Sequence, residues 1–551
     1  MSDIQSFGRC VVTSKALSAV YTYLHQNYDE QLLKKIINAL EPIINLEIYE
    51  ISRSDKNYTY ELLQAELACL DEKSEFRKQT GRYYTPNDVV EFILTNSVNL
   101  FCDKIEPTNL NKLFIDKSSY AKFCYDCTFY DPTCGSGVFL LPILETKFKC
   151  LEKYDSNIDV NKICRIVDTL YGNDLNANSI LITKLRLFLS VLNRYGTEFL
   201  LPLNDILNKN FSGYDFISRG EFDAKKYNLI IGNPPYVEDK KSQTTYSEKY
   251  GNLYANVLSI ASRLLKTDGV MGFIVPLSYI ATPRMKKIRA ELLERLPEQY
   301  IFSFADRPDS LFSSVHQKLC ILLGKKKKSA PTIFTGNYNY RYRDEREKLF
   351  NNLTFVANDF YCEEFIPKFG TETDIKIYKK IMSAQRSLAE LFVADGVPFY
   401  LNMRAAFWIK VFLREHSGSE YKIFKCSDEF YAALCVILLN SSLFWWYWIC
   451  VSDCWHITKK ELSGFKLPTV CDLKYVKDLA TSLENCLEKT KVYVGTKQTD
   501  YEYKHKFCVK EIHQIDDYVN SLYNLSFEES SYIKNFAYRY RIGGGLKDEC
   551  H

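Results

Sequence analysis

The segment Tyr227-Asn228-Leu229-Ile230-Ile231-Gly232-Asn233-Pro234-Pro235-Tyr236 joins a short apolar run to a turn built on two prolines. The run has the length and composition of a buried strand. The prolines fix the backbone and remove two N–H donors, so the local carbonyls are left as acceptors. Asn233 adds a side-chain carbonyl. Two acceptors converging on one NH₂ group draw its nitrogen toward tetrahedral geometry and free a lone pair otherwise delocalised into an aromatic ring. Tyr236 offers a flat face on which such a ring can stack. A rigid polyproline-type turn explains an isolated Pro-Pro equally well, so the neighbouring turns carry the decision.

Upstream, Asp131-Pro132-Thr133-Cys134-Gly135-Ser136-Gly137 follows an apolar run and precedes the helical Val138-Phe139-Leu140. A glycine-rich strand-to-helix turn lets the backbone approach a ligand closely. Leu140 stands where a nicotinamide-binding loop has its third glycine, and no P-loop lysine follows. Asp174, in Tyr171-Gly172-Asn173-Asp174, ends the next apolar run and can accept both hydroxyls of a ribose. Asp205, in Leu203-Asn204-Asp205-Ile206, reads as the close of a third turn and a partner for an adenine amino group. Singly, each carboxylate also fits a helix cap.

Apolar runs at Tyr125–Tyr130, Val167–Gly172, Tyr227–Gly232, Val270–Val275, Tyr300–Phe304 and Leu319–Leu323 alternate with helical stretches such as Asn252–Leu265 and Met285–Leu296. The expectation is an α/β fold: a largely parallel sheet with helices on both faces. Four zones follow: a helical 1–79, the alternating 80–330, a mixed 331–470 after Lys325–Lys328 and Ala330-Pro331, and a helical 471–551. Leu32, Leu33, Ile36, Ile37 and Leu40 give the first zone its helical period. Ser526-x-x-Glu529 is a capping box in the last, beside the stripe Ile512, Ile515, Val519 and Leu522. The spacing from Asp131 to Asp174 exceeds the roughly 20 residues of a minimal unit, so an insertion near 150–165 is implied.

The 551 residues suffice for three or four domains. With 46% hydrophobic and 25% charged residues, disorder is excluded, and 22 Gly and 16 Pro exclude collagen-like or linker composition. Net charge is only +3, yet residues 281–350 carry 15 Lys/Arg against 8 Asp/Glu. A basic patch of that kind serves polyanion binding or forms a solvated surface. Eighteen cysteines behind an N-terminus without a signal-like apolar core read as reduced thiols of a soluble, cytoplasmic protein. Phe430–Ser452 lacks formal charge for 23 residues, but Asn440-Ser441-Ser442 interrupts it and its second half is aromatic rather than aliphatic. Cys124-x-x-Cys127 with Cys134, and Cys450-x₃-Cys454-x-His456, each lack the second ligand pair of a structural zinc site, so no metal is expected.

Taken together, these motifs resemble the γ class of DNA adenine-N6 methyltransferases, the Type II and Type IIG restriction-modification methylases. The likeness covers residues 80–330. Gly81-Arg82-Tyr83-Tyr84-Thr85-Pro86 resembles the family's N-terminal cofactor motif, with Thr85 capping a helix and Pro86 at its first position. The resemblance implies a Rossmann-like methyltransferase domain with a mostly parallel seven-stranded sheet, an N-terminal helical segment, and a DNA target-recognition domain over 331–470. It implies S-adenosyl-L-methionine as cofactor, held by Thr85, Pro86, Asp131, Pro132, Thr133, Gly135, Gly137, Asp174 and Asp205. It makes Asn233, Pro234, Pro235 and Tyr236 catalytic, with Tyr236 and Phe312 stacking on a flipped adenine. Asn252-Leu253-Tyr254 resembles the start of the family's next helix, and Leu438–Phe444 with Ser452-Asp453 the recognition region of Type IIG-like methylases.

Double-stranded DNA is the implied partner, and a separate restriction endonuclease is admitted as a second. Arg284, Lys286, Lys287 and Arg289 are placed to hold phosphates. Arg341, Arg343, Arg404, Lys410 and part of Phe444–Trp448 are candidate DNA contacts in the recognition zone. No nuclease motif is found in the first 80 residues, so no cleavage is expected. The same Asn-Pro-Pro-Tyr turn also suits methylation of RNA bases or protein glutamine. A non-catalytic DNA-binding subunit of the same fold is the remaining alternative.

Overall fold

The computed structural model describes residues 2–44, 55–72, 85–219, 225–241, 248–312, 316–416, 418–469, 473–495 and 501–544. Gly81–Tyr84 of the expected N-terminal motif therefore lie outside the described residues. The chain divides into two compact units: residues 1–276, 287–301 and 320–333 form the first, and 277–286, 302–319 and 334–551 the second. The four expected zones are thus gathered into two, with 334–469 and the C-terminal helices in the same unit.

In the first unit the strands are β1 (Phe129–Asp131), β2 (Leu170–Asn173), β3 (Phe211–Ser212), β4 (Tyr227–Gly232), β5 (Leu265–Pro276), β6 (Glu298–Phe304) and β7 (Leu319–Lys325). They stand in the order β3-β2-β1-β4-β5-β7-β6 within a sheet that continues into Thr332–Asn339 and Val356–Ala357, nine strands where seven were expected. The pairs β1–β2, β1–β4, β2–β3 and β4–β5 are all parallel, with Phe129 opposite both Leu170 and Leu229. The chain leaves β1 toward β2 on one side and returns as β4 on the other. That reversal is the switch point outside whose carboxyl ends open α/β sheets bind ligands. The central strands are buried apart from the half-buried Asn228, as parallel strands covered on both faces must be.

Two connections differ from the sequence expectation. The apolar run ahead of β1 does not extend as a strand: Lys122–Asp126 forms a π-helical turn. Beside that turn lies the buried Lys147, whose Nζ donates to the Cys127 carbonyl at 2.7 Å and to Thr169 Oγ1 at 2.6 Å. Burial pulls that amine down to about 8. The long β1–β2 spacing is filled by two helices, Leu140–Tyr154 and Val160–Val167, the latter capped by Asp159. Helices Glu30–Ile44 and Tyr60–Glu72 belong to the same unit. Leu33, Ile36 and Leu40 turn inward as the helical period requires.

The second unit holds a three-stranded antiparallel sheet, with Phe392–Asn402 between Val411–Phe412 and Tyr421–Cys426. Its apolar centre is the helix pair Glu429–Asn440 and Ser442–Val451, bent by 64° at Ser441, which caps the second helix. Phe444 to Trp448 are all buried, so none of this aromatic run faces outward and its expected share in DNA contact is corrected. The indoles instead satisfy interior acceptors: Trp445 the Ala406 carbonyl, Trp446 Asp374 and Trp448 the His456 carbonyl. No single helix among the described residues is long and apolar enough to cross a membrane. The capping box at Ser526 forms as expected, with Ser526 Oγ accepting the Glu529 N–H at 3.2 Å.

Candidate active site

Gly232 ends β4, and a Cβ there would lie 2.8 Å from Asp131 Oδ1. Glycine is therefore required where β4 passes the carboxylate of β1. Asn233 follows directly. Its Nδ2 donates to Thr85 Oγ1 at 3.0 Å, and its backbone carbonyl accepts from Thr133 Oγ1 at 3.3 Å. The first contact sets the amide with nitrogen toward Thr85 and oxygen away from it. The second ties the Pro-Pro turn to the glycine loop. Tyr236 is half-buried; its hydroxyl donates to the Ile274 carbonyl of β5 at 2.9 Å, and Tyr254 meets its ring edge-on at 6.4 Å.

Thr85 does not cap the following helix as expected. Helix Asn87–Phe101 has Pro86 at its cap position and no side-chain cap, so Thr85 serves the Asn233 amide instead. Thr85 is buried at 3% exposure, which keeps water from competing for that bond.

The loop after β1 turns at Gly135 (φ 53°) and Gly137 (φ 79°), both left-handed. Gly135 N–H donates to Asp174 Oδ2 at 3.0 Å, and Asn176 N–H to Asp174 Oδ1 at 2.8 Å. The Asp131 carboxylate accepts from Thr133 N–H at 3.0 Å. Burial, with Asp174 close by, pushes the Asp131 carboxyl well above the usual carboxylate range, and the Thr133 N–H partly opposes this. Two buried carboxylates at the ends of adjacent parallel strands favour a ligand that brings positive charge or hydrogen-bond donors.

The motif reading missed the supports of this loop. Thr183 Oγ1 donates to the Gly135 carbonyl at 2.9 Å, and Arg186 donates to the Ser136 carbonyl. Arg186 Nε also reaches Gln64 Oε1 at 3.0 Å, which brings helix Tyr60–Glu72 to the loop. The i, i+3 spacing of Thr183 and Arg186 on one helix face was the available signal.

Asp205 is corrected. It is exposed in the first turn of helix Leu203–Asn210, which leads into β3 and so precedes the strand instead of following it. The carboxylate after β3 is Asp215, in Gly213-Tyr214-Asp215, where Tyr214 N–H donates to Asn173 Oδ1 at 3.1 Å. Asp215 Oδ1 accepts from Ile217 N–H at 3.0 Å and Oδ2 from Ser218 Oγ at 2.9 Å. A two-residue strand leaves almost no apolar pattern, which is why the sequence reading placed the turn too early.

Phe312 belongs to the second unit and is 1% exposed, so its ring is packed in protein. Arg289 is buried, and Lys287 sits over the Tyr250 ring at 4.6 Å. Lys286 pairs with Glu363. Arg341 is buried, pairs with Asp309 at 2.8 Å and donates to the Ser310 carbonyl, an internal clamp rather than a phosphate contact. Arg284, Arg343 and Arg404 are exposed, and Lys410 is half-buried.

Residues 168–309 match the family described as Eco57I restriction-modification methylase. The matched stretch contains Asp174, Asp215 and Asn233–Tyr236. Over 472 residues, 75% of the chain, the protein is 24% identical to the Type II restriction enzyme and methyltransferase RM.Eco57I of Escherichia coli, of which it covers 45%. Over 31% of the chain it is 24% identical to the Type II methyltransferase M.VspI of Vibrio sp. (strain 343), covering 36% of that protein. The chain thus spans less than half the length of these relatives.

Among solved structures, the Type IIL restriction-modification enzyme MmeI in complex with DNA matches with TM-score 0.52 at 13% identity, over 87% of this chain and 81% of that one. The ATP-dependent Type ISP restriction-modification enzyme LlaBIII bound to DNA matches with TM-score 0.50 at 13% identity, over 87% and 45%. The chain accordingly shares the α/β fold of these two enzymes.

Proposed function

We propose that the protein is a site-specific DNA adenine-N6 methyltransferase using S-adenosyl-L-methionine, acting in a restriction-modification or phage-defence setting. The observation that carries this reading is the Asn233 amide, oriented by Thr85 beside Pro234, Pro235 and Tyr236 at the carboxyl end of β4.

The site fits the cofactor. Its sulfonium and ammonium are positive and its ribose hydroxyls are donors, which matches the buried carboxylates Asp131 and Asp174 beside the left-handed glycine turn. When bound, S-adenosyl-L-methionine supplies a methyl group on a good leaving group, so no metal or covalent nucleophile is required. The residues of the chain hold and tune the other reactant. Asn233 Oδ1 and the Pro234 carbonyl accept the two N–H bonds of the target amine and raise the electron density on its nitrogen. Tyr236, anchored through its hydroxyl on β5, provides the face on which the base stacks. Alignment within about 3–3.5 Å is the main catalytic device.

A duplex adenine must leave the helix to reach such a turn, at a cost of a few kcal/mol. Exposed Arg284, Lys287 and Arg343 are the proposed phosphate contacts among the sequence candidates. The second unit is the proposed seat of target recognition, and a separate endonuclease is a proposed partner.

The test is transfer of labelled methyl from S-adenosyl-L-methionine to unmethylated plasmid DNA, with RNA and protein extract in parallel, followed by nucleoside analysis. N6-methyladenine in DNA is the expected product. Label confined to RNA or protein, or to cytosine, overturns the substrate assignment.

A further inference from the structure

The second unit contains a cavity of about 660 Å³ lined by seven Lys/Arg against three Asp/Glu and by nine aromatic side chains. Two of the acids are already engaged by neighbouring lysines, Asp306 with Lys318 at 3.0 Å and Glu502 with Lys504 at 2.6 Å. The remaining balance is cationic, so the lining attracts an anion.

Three features distinguish it from a solvated basic surface. Trp455 is 38% exposed although indoles are normally well covered. Lys318 Nζ lies 3.9 Å from its ring centroid and Arg404 Cζ 5.4 Å. Second, the backbone that presents Trp455 is held in a costly conformation: Cys454 is left-handed at φ 58°. That turn is braced by Cys454 N–H to Ser452 Oγ at 2.9 Å and Trp455 N–H to Asp453 Oδ1 at 3.0 Å, and Ile457 N–H reaches the Met403 carbonyl at 2.8 Å. Third, Arg541 lines the cavity at 4% exposure, its guanidinium 4.0 Å from the Trp408 ring. Its Nε donates to the Phe407 carbonyl and its Nη1 to Ser442 Oγ, while Nη2 has no hydrogen-bond partner among the described residues.

An exposed ring flanked by cations, at a recess lined by further aromatic rings, matches a flat base joined to a phosphate. A recess walled by aromatic rings suits an inserted base, whereas the phosphates of an intact duplex need only surface cations. We propose that this cavity is a nucleotide-binding site that receives an unstacked base of a DNA strand, with Trp455 as the stacking face and Lys318, Arg404 and Arg541 as its cationic frame. Its lining includes no residue of the Asn233 turn, and the proposal rests on the DNA reading above. The same chemistry would come from a free nucleotide, which the experiment separates.

The full chain is titrated with a short fluorescein-labelled single-stranded oligodeoxynucleotide, followed by anisotropy, with unlabelled duplex and dAMP as competitors. Wild type is expected to bind the strand. Trp455→Ala is expected to weaken binding roughly tenfold, and Trp455→Phe to retain most of it. Because Trp455 is exposed, its loss leaves the fold intact, as an unchanged melting temperature would verify. Equal affinity of Trp455→Ala and wild type overturns the cavity assignment while plasmid methylation leaves the function standing. Displacement by dAMP at the same nucleotide concentration overturns the DNA strand as occupant. Absence of any DNA binding by wild type overturns both.

Discussion

Thr85 Oγ1 accepts the Asn233 side-chain N–H at 3.0 Å, joining residues 148 positions apart. One hydroxyl thus sets which end of the Asn233 amide is presented beyond the Pro-Pro turn. We propose a positional role for Thr85 beside the cofactor contact that its motif implies.

Thr85→Val removes the hydroxyl and keeps the shape. Methyl transfer is expected to fall by roughly tenfold to a hundredfold through kcat, with cofactor affinity little changed. Thr85→Ser restores the rate. Steady-state kinetics with calorimetric cofactor binding would check it; a loss confined to cofactor affinity would return Thr85 to the cofactor site.

Asn233→Ala is expected to lower transfer by on the order of a hundredfold or more while leaving cofactor binding nearly intact. Asp174→Ala acts in the opposite order. Its carboxylate holds the Gly135 and Asn176 N–H groups, so cofactor affinity falls first as the glycine loop loses its anchor. Equilibrium binding of S-adenosylhomocysteine to both variants distinguishes the two roles.

Asp215 and Asp205 make a paired test. Asp205→Ala, on an exposed helical turn ahead of β3, is expected to be silent. Asp215→Ala is expected to weaken cofactor binding roughly fivefold to tenfold, the worth of one hydrogen bond. Equal effects would remove the distinction drawn from strand order.

Arg341→Ala removes a buried guanidinium that pairs with the partly exposed Asp309 and is expected to cost about 1–2 kcal/mol of stability. Thermal unfolding reads this directly. Unchanged stability with weakened DNA binding would restore Arg341 to the phosphate contacts.

The acid limb of stability should carry a contribution from His505. Burial, with Lys410 and Arg541 nearby, pushes its pKa down to about 3, against about 6.5 in the unfolded chain. The stability from neutral His505 is full above about 6.5 and is lost as pH falls toward 3, because the unfolded chain binds a proton that the folded one excludes. His505→Gln is expected to flatten the melting-temperature profile across that window.

The α/β alternation and the site turns were legible in the sequence because each is local. Strand apolarity, glycines and prolines at strand ends, and Ser526 three residues before Glu529 act within a few residues of chain. Asn233, Asp131 and Asp174 could be named for the same reason. The short β3 defeated that reading and drew Asp205 forward in place of Asp215.

Composition cannot tell a buried charge from an exposed one. Arg289 and Arg341 look like Arg284 and Arg343 in sequence, and only packing separates the first pair from the second. The aromatic run Phe444–Trp448 became core because a bent helix pair had to bury it, and Trp455 stayed exposed because the Cys454 turn holds it out. Local chemistry along the chain determined where the candidate turns fall. Long-range contacts, Thr85 to Asn233 and Gln64 to Arg186 among them, decided which side chains orient them, since such partners are chosen by the order of strands in the sheet and not by neighbours in the chain.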